Sequence, residues 1–164
     1  MEGLAIPAWA GPTTTQVGAI GESLTAAGIL HGSGGRLSPF KPIADDDGLD
    51  LLVFDKLSRK PIPLQIKARR GFDDARAQTV QFDVRLKTFA AQGAGYLLCV
   101  NLNGLAIEAL WLIPAADLPR VARTASDKLV MVASTKSTSQ DRYTPYRMKT
   151  FEDVCAKLIA SQSV

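Results

Sequence analysis

The run GLDLLVFD from Gly48 to Asp55, followed after a polar turn by LQIKA from Leu64 to Ala68, most constrains how this chain folds. Both runs are short and apolar, and Lys56 to Lys60 between them is polar, the signature of a β-hairpin. Its register follows from arithmetic. If Leu57 and Ser58 form a two-residue loop, paired positions sum to 115 and Asp50 lies opposite Gln65. A four-residue loop with the same centre gives the same pairing, whereas a three-residue loop breaks the parity unless a bulge restores it. Gln65 and Lys67 are two apart and so share a face. An acid, an amide and an ammonium are thus expected together on one face of a hairpin, an arrangement suited to holding a metal and hydrolysing a phosphodiester.

The rest of the chain supplies a frame for that hairpin. Met1 to Pro12 has two prolines and no period and reads as an N-terminal arm, with Trp9 able to dock. From Thr13 to Val164 a single domain is expected. Thr13 to Thr15 cap a helix running to about Ala27, with an apolar stripe of Val17, Ile20, Leu24 and Ala27, and Gly28 as its stop. Glu22 lies beside that stripe among small neighbours. His31 to Gly35 reads as a loop and Arg36 to Ile43 as a first strand. Val80 to Leu86 fits both periods; the reading adopted is a short extended entry, Asp83 as cap and a helix to about Gln92. Tyr96 to Leu102 and Ile107 to Ile113 are strands around an Asn103-Gly104 turn. Pro114 to Arg123 is a short helix or loop, Leu129 to Ala133 a last short strand, and Ser134 to Tyr143 a mobile polar segment. Thr150 caps a C-terminal helix.

The order Glu22, Asp50, Gln65-x-Lys67 resembles the PD-(D/E)xK nuclease superfamily, in the branch that writes its last element as QxK. The flanking text is similar too: a helix with GES, then GLDLLV, LQIKA, GYLLCVNL and ALWLIP, over roughly Thr13 to Pro114. The resemblance implies an α/β restriction endonuclease-like core, a mixed central β-sheet flanked by α-helices, with the site at one end of the central hairpin. It implies a Mg²⁺- or Mn²⁺-dependent deoxyribonuclease acting on DNA, an endonuclease. Asp50 would anchor the metal, and the Gln65 amide oxygen and the Ile66 main-chain carbonyl would add ligands. Glu22 would approach the metal through water from the helix side, and Lys67 would orient or help deprotonate the attacking water and balance charge. Leu49 stands where the motif has proline, and Gln65 is neutral, so metal binding is expected to be weaker than in a site of three carboxylates. Asp47 and Asp55 compete with Asp50 for the metal role, Asp47 with the wrong parity and Asp55 at the turn; His31 is a lone histidine.

Composition sets bounds around this reading. The 164 residues are enough for one domain with a core, and the net charge of +3 is too small alone to argue for nucleic acid. Its distribution says more: nine Lys or Arg fall between Lys56 and Lys87, around the QxK strand. Arg36, Lys41, Arg69 and Arg70 are the candidate phosphate contacts, Arg69 sharing strand parity with Lys67. Cys99 and Cys155 sit in apolar segments and read as buried free thiols of a reducing compartment. With no signal peptide and no membrane-length apolar run, a cytoplasmic protein is expected. Homo-oligomerisation is left open. Two other readings stand beside the nuclease: a nuclease-fold protein that binds DNA or assists a partner without cutting, and a protein-interaction or regulatory module that retains the fold.

Overall fold

The computed structural model describes residues 11–44, 48–71, 78–90 and 95–162. Most of the arm with Trp9, the acidic run containing Asp47, Arg76 and the expected helix end at Gln92 lie outside the described residues.

A six-stranded sheet runs in the order β1 (Leu37–Phe40), β2 (Leu51–Asp55), β3 (Lys60–Arg70), β5 (Tyr96–Asn103), β6 (Ala106–Pro114), β9 (Arg147–Met148). Only β3 and β5 pair in parallel; the other neighbours are antiparallel, so the sheet is mixed. The parallel step requires a crossover. It is made by β4 (Thr79–Arg85) and α2 (Leu86–Ala90), and β4 joins β8 (Lys128–Ser134) and β7 (Arg123–Ala125) in a second, three-stranded sheet. Helices α1 (Thr14–Gly32) and α4 (Phe151–Ala160) and a short α3 (Leu118–Val121) complete the architecture.

The central strands are apolar on both faces because each face has its own cover. Leu64, Ile66, Leu98 and Val100 pack under α1 and α4 with Val17, Ile29, Val154 and Leu158. Leu97, Cys99, Trp111 and Ile113 pack on the small sheet with Phe82, Leu129 and Met131. Phe82 meets Trp111 edge to face, centroids 5.9 Å apart, and the Arg147 guanidinium lies over the Trp111 ring at 5.3 Å. Both cysteines are free and buried, and burial pushes the Cys155 thiol up to about 11. Among the described residues no helix is long and apolar enough to cross a membrane.

Several expectations change. Helix α1 has the expected cap, Thr13 with Gln16 completing a capping box, but it runs through Gly28 to Gly32 and takes in His31. Gly28 and Gly32 are packing positions rather than stops: a Cβ at Gly28 would stand 2.3 Å from the Phe151 ring of α4. The buried stripe is Val17, Gly21, Thr25 and Ile29, with Ala27 exposed, because α1 lies close to the sheet and the neighbouring helix on its smallest residues. Val80 to Leu86 follows its two-residue period. It forms β4, pairing with β8 from Thr79↔Ser134 to Arg85↔Lys128, and the α2 helix starts only afterwards, so Asp83 is a strand residue and not a cap. Segment 134–143, expected to be mobile, makes specific bonds. The Asp141 carboxylate accepts from Ser134 and Tyr143 N–H at 2.8 Å, and Arg147 donates to the carbonyls of Ser134, Thr135 and Lys136 at 2.7–3.0 Å.

At the turn end of the hairpin Asp55 is wholly buried, and Arg36 holds it bidentately, Nε and Nη2 each donating at 2.8 Å. This hydrogen bond, outweighing desolvation, drives the Asp55 carboxyl well below the usual carboxylate range. A depressed carboxylate contributes stability that is present above its unfolded pKa, about 3.9, and lost as pH falls through the folded value. Arg36→Gln is therefore expected to lower the melting temperature at neutral pH and to move acid unfolding, followed by circular dichroism, to a higher pH. An unchanged acid midpoint would mean that the pair does not govern acid stability.

Candidate active site

The hairpin register is the one the sequence specifies. Leu51↔Leu64 and Asp55↔Lys60 both sum to 115, with a four-residue turn from Lys56 to Arg59 closed by Arg59 at φ 60°. Asp50, expected directly opposite Gln65, is not paired with it but stands one step beyond the last pair. Its N–H donates to the Leu64 carbonyl at 3.0 Å, and its carboxylate accepts the Ile66 N–H at 2.5 Å. The regular ladder with β2 ends at Leu51↔Leu64, so β3 continues past it with its edge toward Asp50. In an extended strand the N–H and C=O of one residue face the same neighbour, so the Ile66 carbonyl opens on the side where its N–H meets Asp50.

Parity places Gln65 and Lys67 on the sheet face opposite Leu64 and Ile66, beside Leu97 and Cys99 in register. They line a cleft of about 610 Å³ with Asp50, Gly48, Arg69, Thr14 and Thr15, and on the far wall Asp83, Arg85, Thr88 and Lys128. Gln65 is 2% exposed, and its amide oxygen has no hydrogen-bond partner among the described residues. Leaving such an oxygen bare costs about 1–3 kcal/mol, so it is available to accept from water or to meet a cation. Gly48, at φ 67°, closes the floor: a Cβ there would meet Thr88 at 2.7 Å and the Gln65 amide nitrogen at 3.1 Å. Lys67 makes no hydrogen bond or ion pair among the described residues.

Glu22 reaches the same place from α1. Gly21 seats the helix directly on Ala68, and Glu22, one residue on, shares an adjoining hollow of about 310 Å³ with Asp50, Ile66 and Lys67. Its carboxylate accepts from Lys41 Nζ at 2.6 Å. The oxygen set of Asp50, Gln65, the Ile66 carbonyl and Glu22 is the kind that hard divalent cations take. Among the described residues no group of three His, Cys, Asp or Glu is placed to hold a metal, so an ion here would depend on the amide and the main-chain carbonyl.

Of the four candidate phosphate contacts, Arg69 lines the cleft, its Nε donating to the Gln81 carbonyl at 3.2 Å. Lys41 stands near the cleft through Glu22. Arg36 is engaged by Asp55 at the opposite end of β2, and Arg70, of opposite parity to Lys67, lines a separate hollow with Val17, Ile20 and Leu105. Asp55 is thereby removed as a competitor to Asp50, and His31 sits exposed in the last turn of α1. Sequence reasoning missed the far wall. Asp83 and Arg85 would have followed from reading Val80 to Leu86 as a strand; Lys128 joins them by a pairing across 43 positions that carries no local signal.

No protein-family model matches this chain, and no curated protein does. Among solved structures it is similar to a bacterial homing endonuclease, with a TM-score of 0.59 and 15% identity over 93% of this chain and 99% of that one. A second likeness is Hjc, a Holliday junction resolvase from the archaeal hyperthermophile Archaeoglobus fulgidus, with a TM-score of 0.49 and 8% identity over 85% of this chain and 95% of that one. The fold is restriction endonuclease-like. Within it, the hairpin end carrying Asp50, Gln65 and Lys67 opens on the cleft between the central sheet and the small one.

Proposed function

We propose that the chain, as a single domain from Thr13 onward, is a Mg²⁺- or Mn²⁺-dependent DNA endonuclease of the PD-(D/E)xK type with the QxK ending. The observation that carries this is the bare, buried amide oxygen of Gln65 beside the Asp50 carboxylate, in a cleft that also holds an uncommitted lysine. Likeness in fold to a homing endonuclease supports it.

Asp50, the Gln65 amide oxygen and the Ile66 carbonyl would hold the cation, with Glu22 reaching it through water. A divalent ion in that position offsets the charge of the phosphate and makes water a better nucleophile. The chain's own groups do the rest. The Lys67 ammonium orients the attacking water by donating a hydrogen bond to its oxygen, and balances the charge that grows on the phosphoryl oxygens. Water adds to phosphorus and gives up a proton to solvent as the bond to the leaving oxygen breaks, and that oxygen takes a proton from solvent. Asp50 is held in place by the Ile66 N–H, so little rearrangement is needed when substrate arrives.

The test is incubation of the chain with supercoiled, linear and branched DNA, with Mg²⁺ or Mn²⁺, beside a Lys67→Ala control. Cleavage that depends on the metal and is lost in the control supports the reading. No cleavage of any form by a chain that binds DNA would favour the one competing reading with an observation behind it: a DNA-binding protein that does not cut, consistent with the neutral Gln65. Gln65→Glu is expected to tighten Mg²⁺ or Mn²⁺ binding, measured by calorimetric titration, because a carboxylate replaces a neutral ligand. Unchanged affinity would place Gln65 outside the ligand set.

A further inference from the structure

We propose that Arg85 and Lys128, on the small sheet, form a second phosphate site that grips the DNA backbone across the cleft from Asp50 and Lys67; this rests on the DNA reading of the cleft. Arg85 and Lys128 are direct partners in the β4–β8 pairing. Side chains in that relation stand about 4.5–5.5 Å apart at Cβ, and like charges directly opposite destabilise a sheet. Like charges held opposite one another, against a local rule of sheet stability, are expected where a ligand of opposite charge belongs. Both side chains line the cleft that holds Asp50, Gln65 and Lys67.

The charges around the pair sharpen this. Lys128 Nζ is matched by Asp83 at 2.8 Å, two residues from Arg85 along the strand and so on its face. Asp83 also accepts from Gln81. Arg85 is exposed and has no ion pair or side-chain hydrogen bond among the described residues. With Lys67 and Arg69, the cleft carries four cations against Asp50 and Asp83. A guanidinium with its fork uncommitted is the side chain best matched to phosphate oxygens. A DNA strand offers a series of such groups, so one phosphate can sit at Asp50 and Lys67 while another meets Arg85 and Lys128. Asp83 then acts as a positioning residue, holding Lys128 while tempering its charge.

The experiment is fluorescence anisotropy of a labelled DNA duplex, titrated with the full chain in EDTA over a range of NaCl concentrations. Arg85→Gln, Lys128→Gln, the double variant and Asp83→Asn are compared. Arg85→Gln is expected to weaken binding several-fold. The double variant is expected to flatten the slope of log K against log[salt] by about 0.9, the share of a single neutralised phosphate. Asp83→Asn, which keeps a hydrogen-bonding side chain but removes the negative charge, is expected to tighten binding. Arg85→Gln is also expected to raise the melting temperature of the free protein by removing the cross-strand repulsion. That pairing of greater stability with weaker binding would not arise from a purely structural role. Affinity and salt slope unchanged in the double variant would overturn the site even if the wild-type chain cuts DNA. Weakened binding by a chain that cuts nothing would support the site while overturning the nuclease reading. Failure of the wild-type chain to bind the duplex would overturn the site.

Discussion

Asp50→Ala is expected to abolish divalent-metal binding and DNA cleavage together, whereas Lys67→Ala should keep the metal and lose most of the cleavage. The difference follows from where the two side chains stand. Asp50 is the carboxylate fixed against β3 by the Ile66 N–H, and without it the Gln65 amide and the Ile66 carbonyl are neutral ligands with little hold on a cation. Lys67 carries no ligand oxygen, so its removal would leave the proposed metal set whole and take away the ammonium that lines the cleft with Asp50. Loss of one preorganised charge of this kind costs about 10²–10³-fold in rate. Asp50→Asn separates function from folding, since the amide can still accept the Ile66 N–H; it should fold as the wild type and bind metal far more weakly. Calorimetry with Mg²⁺ or Mn²⁺ and single-turnover cleavage read the two effects separately. Full cleavage by either alanine variant would remove that residue from the mechanism.

The hairpin is legible in the sequence because its information is local and discrete. A centred loop of even length and a period of two leave a single register, and from Leu51↔Leu64 to Asp55↔Lys60 the structure has it; Asp50, opposite Gln65 in that arithmetic, stands beyond the ladder with its N–H on the Leu64 carbonyl. The helix cap at Thr13, the Asn103-Gly104 turn and the Thr150 cap are legible for the same reason. What cannot be read depends on partners distant in sequence. Arg36 looks like any exposed cation until Asp55, 19 positions on, is placed against it. Arg70 has the right charge and the wrong parity. The stripe of α1 departs from the expected one because apolar size is a poor guide where a helix lies against its neighbours through glycines: Gly21 meets Ala68 of β3, Gly28 meets the Phe151 ring of α4, and Ala27 is exposed. The ambiguity at Val80 to Leu86 is settled by β8, whose pairing satisfies the main chain as a strand. The Gln65-x-Lys67 half of the cleft is legible, then, and the Arg85 and Lys128 half is not.

Gly21→Ala is expected to destabilise the protein, although alanine is the better helix former by about 0.8–1.0 kcal/mol. A Cβ at this position would stand 2.2 Å from the Ala68 Cβ and 3.6 Å from its Cα, so α1 would have to lift from β3. Overpacking of this kind costs about 1–3 kcal/mol, which exceeds the propensity gain over most of that range. Gly18, on the same helix, is the internal control: nothing lies within 4 Å of the Cβ it would acquire, and Gly18→Ala should show the propensity gain. Ala68→Gly should restore much of the stability lost in Gly21→Ala, because it removes the atom that the new methyl strikes. Urea denaturation of the three single variants and the double variant measures all of this in one series. Equal stabilisation by alanine at both positions would show that α1 does not rest on β3 through Gly21. The same contact sets the height of Glu22 over Asp50 and Ile66, one residue away, so Gly21→Ala should also weaken divalent-metal binding and Gly18→Ala much less. If metal affinity instead stayed constant while stability fell, Glu22 would stand outside the metal site, and the Asp50 carboxylate would hold the ion with neutral oxygens alone.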